Sequence, residues 1–197
     1  MINEVKRQGI ALLVLATFGG AAHASSVSAT QPEVNQTLAH IERTARTASE
    51  HAHQYGVMST QPAVAATAKE HLVGLQSAVN SIGKDLASLE ANRSSLTKTQ
   101  QVALDQVRPL LISAAARTSS EIVIYNDRAH LWTPENRGRV QQIAQDTKQI
   151  ASTLNDFALI QSLREREARI AVAHPEVNGV AQPVATTVAQ PEVTVGR

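Results

Sequence analysis

The sequence predicts an all-α protein: an elongated, antiparallel, up-down-up-down four-helix bundle, behind an N-terminal signal peptide and ahead of a disordered C-terminal tail. Three observations carry that prediction. Apolar residues return at alternating spacings of three and four in four separate runs, the 3.5-residue period of helices with one narrow apolar seam. Threonine stands just before a first-turn proline at three of the starts. No segment alternates apolar and polar residues over a useful length, and Ile122-Val123-Ile124-Tyr125, strand-like in isolation, has no partner strand.

Residues 1–24 have the parts of a secretory leader. Lys6 and Arg7 supply the positive start, Gly9 to Phe18 the apolar core, and Ala22-His23-Ala24 the small residues that a signal peptidase reads, so cleavage is expected before Ser25. Ten apolar residues rise only about 15 Å as a helix, half of a bilayer's hydrocarbon thickness, so no stable membrane anchor is expected after cleavage. The processed chain is expected outside the cytoplasm, in a periplasm or the medium. Cleavage removes Lys6, Arg7 and Glu4, which leaves 16 basic and 16 acidic residues of the 18 and 17 in the full chain. That balance gives no global field to draw nucleic acid or an anionic membrane. The sequence contains no cysteine, which excludes disulfides, thiolate metal sites and covalent haem attachment.

A short linker, residues 25–31, leads into the bundle at 32–171. The first helix, near 32–55, carries Val34, Leu38, Ile41, Ala45, Ala48, Ala52 and Tyr55, and Gly56 is read as its stop. The second, near 61–91, carries Ala65, Ala68, Leu72, Leu75, Val79, Ile82, Leu86 and Leu89, and stops around Asn92 to Ser95. The third, near 97–129, opens on the capping box Thr97 and Gln100 and carries Leu104, Val107, Leu111, Ala114, Thr118 and Tyr125, widened by Ile122 and Ile124. Pro109 within it removes a backbone hydrogen bond and predicts a kink. The fourth, near 134–171, carries Val140, Ile143, Thr147, Ile150, Leu154 and Phe157, continued by Ile160 and Leu163. Past Leu163 it is charged nearly all round and reads as a solvated extension. Short loops make sequential neighbours antiparallel. From 172 to 197 the composition changes, and Pro175, Pro183 and Pro191 each take the second place of an octad too small-chained to bury a core.

Tyr55, Tyr125 and Trp132 fall at the bundle end that bears the first and third loops, with His53, Met58, Asn126, Arg128 and His130. Tyr55, Tyr125, Arg128, His130 and Trp132 are therefore the candidate binding residues, because rings with a few polar groups make binding surfaces. The same rings would also plug the end of an alanine-rich core. For a metal, the weak alternative is His53 with His130: Glu50-His51-Ala52-His53 and Asp127-Arg128-Ala129-His130 loosely match the carboxylate-histidine pairs of di-metal bundles. Heptad phase turns both histidines outward, so they read as surface residues. No nucleophile elbow and no phosphate-cradling glycine loop occurs, and no cofactor is expected.

Leu96-Thr97-Lys98-Thr99-Gln100 resembles the Leu-Thr-x-x-Gln signature of the periplasmic Spy/CpxP-type helical chaperones, and Trp132-Thr133-Pro134-Glu135-Asn136 looks like a degraded second copy. The resemblance covers about ten residues. It implies an exported helical protein that binds other polypeptides, although this chain lacks that family's basic character. The expected function is a non-enzymatic binding or structural role, with an unknown protein partner or self-association. The alternative is a small-ligand or metal-binding bundle that uses the aromatic and histidine end.

Overall fold

In the computed structural model the described residues are 30–58, 65–127 and 133–173. They form α1 (Gln31–Met58), α2 (Ala65–Ala91), a 3-10 turn at Arg93–Ser95, α3 (Lys98–Asp127) and α4 (Pro134–Ala173). The leader, the Thr60 start signal and the octads from His174 lie outside the described residues.

Side chains fix three of the helix starts. The Val34 amide donates to the Thr30 carbonyl at 3.0 Å, while the Glu33 carboxylate turns back to accept from the Thr30 amide at 2.7 Å. Thr97 and Gln100 exchange bonds, each side-chain oxygen accepting from the other's amide at 3.2 and 2.8 Å. The Asn136 amide donates to Thr133 Oγ1 at 3.2 Å. Each side-chain bond satisfies a backbone donor that the first turn of a helix leaves without a partner.

Cross-helix contacts give the topology. His40 meets Asp85 and His51 meets His71, so α1 and α2 run antiparallel. Arg117 meets Asp146 and Glu121 meets Arg139, so α3 and α4 do the same. Ser49 Oγ donates to the Ala144 carbonyl at 3.0 Å, which sets α1 beside α4. Gln100 Nε2 donates to Gln31 Oε1 and Asn35 Oδ1, both at 3.1 Å, so α1 and α3 begin at the same end. The fold is an up-down-up-down four-helix bundle.

The expected seams form its core. On α1 the buried residues are Val34, Leu38, Ile41, Ala45, Ala48, Ala52 and Tyr55. The second seam is buried from Ala68 to Leu89, and the third and fourth contribute Leu104 to Ile122 and Val140 to Phe157. A fully buried Leu or Ile contributes about 1.5–3 kcal/mol, so the large residues of α2, α3 and α4 carry most of the apolar stabilisation. The alanines of α1 contribute less burial but let backbones approach, and α1 and α2 make the closest pairing of the bundle.

Two local readings change, at Gly56 and beyond Phe157, and Pro109 lies inside α3 as expected. α1 passes through Gly56 to Met58, and the glycine serves close approach: a Cβ added there would stand 3.1 Å from Val140 Cγ1. α3 is helical through Pro109, whose position is exposed, so the carbonyl it leaves without a helical donor is open to water. Ile160 and Leu163 do not continue the buried stripe, being 44% and 49% exposed. The phase from Leu154 and Phe157 leads instead to Gln161, which is half-buried, and Ile160 sits about 100° round the helix from it. The contacts divide the chain into two units, one ending at Leu159 and the other beginning at Ile160. In the second unit, residues 162–173 are exposed. No helix among the described residues is long and apolar enough to cross a membrane.

The small edge of α1 makes a quantitative prediction. Ala48→Leu forces a large side chain into a closed seam and should destabilise the protein by about 1–3 kcal/mol in urea unfolding. Ala116→Leu, at an exposed position of α3, should stay within about 0.5 kcal/mol of the parent.

Candidate functional site

Two polar features stand out from the packed seams, and both involve the half of the bundle where α1 ends and α4 begins. The first is a buried cluster of Tyr55 from α1, Glu121 from α3, and Asn136 and Arg139 from α4. Tyr55 and Glu121 are fully buried and Asn136 is nearly so. Glu121 Oε1 accepts from Arg139 Nε at 2.9 Å, and Arg139 Nη2 reaches Asn136 Oδ1 at 3.5 Å. Tyr55 Oη and Glu121 Oε2 have no hydrogen-bond partner among the described residues. Burial pushes the Glu121 carboxyl above the usual carboxylate range, against the Arg139 guanidinium and the Asn136 side chain, which favour its charged form. Burial also raises the Tyr55 phenol, and the neighbouring Glu121 charge adds to the rise. A neutral phenol donor thus lies near a carboxylate that resists ionisation, in a site closed to bulk water.

About one turn back along α3 and two turns on along α4, the polarity of the pairing reverses. Asp146 of α4 is buried and fully bonded: Oδ2 accepts from Ser113 Oγ at 2.6 Å and Arg117 Nη1 at 2.7 Å, and Oδ1 accepts from Gln142 Nε2 at 2.9 Å. α3 and α4 are therefore joined by two crossed pairs, with a carboxylate and an arginine from each helix.

The second feature is a groove along the α1–α4 seam. One stretch, of about 680 Å³, is lined by Ala52, His53, Gly56 and Val57 of α1 and by Arg137, Val140, Gln141, Ala144 and Gln145 of α4. The next, of about 470 Å³, is lined by Arg46, Ser49, Glu50, His53 and Gln54 and by Lys148, Ala151, Ser152 and Asn155. His53 borders both, so the stretches adjoin. Small residues line the groove, with Ser49 against the Ala144 carbonyl, Gly56 against Val140, and Ala52 and Ala151 along its length. Amide and charged side chains make the walls. From Arg137 to Asn155 the α4 wall is about 27 Å long.

Of the residues singled out in the sequence, Tyr55 lies in the buried cluster, and Tyr125 is half-buried against the same core. Arg128, His130 and Trp132 lie outside the described residues. His53 is exposed and belongs to the groove. Among the described residues no group of three or more histidine, aspartate or glutamate side chains is placed to hold a metal ion. Sequence reasoning missed Gln100, Glu121 and Asn136, although a signal existed. The spacings 100, 104, 107, 111, 114, 118, 121, 125 and 136, 140, 143 alternate four and three without a break, so heptad phase itself puts all three on core positions. The two stretches that resemble the chaperone signature are helix starts, and in each the fourth residue of the cap turns its side chain into the bundle.

No protein-family model, no curated protein and no solved structure matches this chain.

Glu121 makes stability depend on pH with a definite sign. Its folded value is raised, so between about pH 4.5 and that value the folded chain holds a proton that the unfolded chain has lost. Stability from this group is full below that window and declines as pH rises through it. Glu121→Gln should remove the decline, so the variant's thermal midpoint relative to the parent should climb as pH rises from 4 to 7. Parallel profiles for the two proteins would contradict the raised value.

Proposed function

We propose that this is an exported helical-bundle protein that works by binding, not by catalysis, and that the α1–α4 groove holds an extended segment of another polypeptide. The observation that carries this reading is the groove's form. An open groove walled over about 17 Å of α1 and about 27 Å of α4 suits a linear chain better than a compact ligand. Its walls offer what such a chain needs. Gln54, Gln141, Gln145 and Asn155 can both donate to and accept from peptide groups. Arg46, Arg137 and Lys148 outnumber Glu50, which favours a segment with acidic side chains. The leader at residues 1–24 supports export, and the equal basic and acidic counts after its removal fit a partner recognised locally and not by long-range attraction.

Two experiments test the proposal. A photo-crosslinking amino acid at His53 should trap a discrete partner in the producing cell, while the same probe at Ser120 on α3 should not. Gln141→Trp with Ser152→Trp, both at exposed positions that wall the groove, should lower the yield of that adduct at least about tenfold without lowering the thermal midpoint. Equal adducts at His53 and Ser120, or yields indifferent to the tryptophans, would end the groove reading. For export, the intact mass of the protein from the extracytoplasmic fraction should correspond to a chain beginning at Ser25; unprocessed protein confined to the cytoplasm would refute it.

A further inference from the structure

Two histidines that neither the bundle core nor the groove uses meet across α1 and α2. His51 Nδ1 and His71 Nδ1 are 3.2 Å apart. Their ring centres are 5.5 Å apart, which is the separation of two imidazoles that meet end-on along the line between those nitrogens. End-on rings direct one lone pair at one N–H, so a single proton lies between them. A metal ion held by both would need the lone pairs to converge on a point off that line. Gly74 makes the arrangement possible, since a Cβ there would fall 2.6 Å from His51 Cε1 and Nε2. The His51 ring lies against the α2 backbone because residue 74 has no side chain.

We infer that His51, His71 and Gly74 form an acid-sensitive latch between α1 and α2, closed while the imidazole pair carries at most one added proton and opened by the second. In the neutral pair one ring donates its Nδ1–H to the other ring's Nδ1. The first added proton goes to the free Nε2 of the donor ring, and the bond becomes charge-assisted and stronger. A second can only occupy the accepting Nδ1, which removes the acceptor and sets two cations against each other. The surroundings agree with this order. Burial and then the His71 imidazole lower the His51 value, while Glu50 on its own helix raises it. The next histidine rung of the hairpin differs, because His40 faces the Asp85 carboxylate at 2.7 Å.

The sign of the effect follows. Below about pH 6.5 the unfolded chain takes a proton on each imidazole, while the folded pair takes one. The folded-to-unfolded ratio should then fall by up to about tenfold per pH unit until His51 protonates in the folded state. This slope is opposite to that of Glu121 and belongs to the other helix pair, so acid should loosen the α1–α2 hairpin before it loosens α3 and α4.

Imidazole titration by nuclear magnetic resonance on the unmodified full chain tests the latch. The His51 imidazole should titrate below the ordinary histidine range. His71→Gln should raise the His51 midpoint, and so should Gly74→Ala, which displaces the His51 ring. Between pH 7 and pH 5, amide exchange corrected for its intrinsic rate should accelerate more in α1 and α2 than in α3 and α4. Two ordinary and mutually indifferent titrations would overturn the latch. So would uniform exchange, or stoichiometric zinc uptake that both histidine variants abolish, since that would make the pair a metal site. The titration of the unmodified protein decides the matter even if a variant fails to fold.

Discussion

The narrow edge of α1 sets the rest of the structure. Ala45, Ala48 and Ala52 are fully buried in its middle, where the other helices offer leucine and isoleucine. A seam of methyl groups can close only if backbones come near each other. On one side α1 closes on α2 and His51 comes to rest on Gly74. On the other it meets α4 through Ser49 and the Ala144 carbonyl, and through Gly56 and Val140. Small residues that bring two backbones together at points leave space between those points, and that space is the groove. Close packing on one flank of α1 and an open channel on the other have the same cause.

The polar residues of the bundle solve a different problem. A seam of period 3.5 looks much the same after a slip of one heptad, so apolar packing alone fixes register weakly. Crossed pairs remove the ambiguity. Sliding α4 along α3 by a heptad would part Glu121 from Arg139 and Asp146 from Arg117, and a buried carboxylate without its partner costs several kcal/mol. Register is therefore enforced by the penalty for being wrong more than by the strength of the right pairs. Tyr55 Oη and Glu121 Oε2 show the cost that remains in the correct register, two polar atoms in the core without a hydrogen-bond partner among the described residues.

Much of this was legible in the residues. The seams, the helix starts at Thr30, Thr97 and Thr133 and the antiparallel order all follow from spacing and capping. So does the burial of Gln100 at one end of the bundle and of Glu121 and Asn136 at the other, once phase is allowed to outrank polarity. The polar partners across the helices obey a simple positional rule as well. His40, His51, His71, Asp85, Ser113, Arg117, Arg139 and Asp146 each stand immediately before a seam residue. That rule marks which side chains flank an interface, but not which of them meet.

What the sequence determined by itself is periodic and local. A helix with one apolar edge must bury it, and a threonine three residues before a Glu, Gln or Asn just ahead of an apolar run marks a helix start. Only the tertiary structure decided the pairings: His51 with His71, Glu121 with Arg139, the opening between α1 and α4, and the turning away of Ile160 and Leu163. Those depend on interaxial distance and on rotation about each axis, which sum small differences of side-chain volume over a whole interface and are written in no single residue.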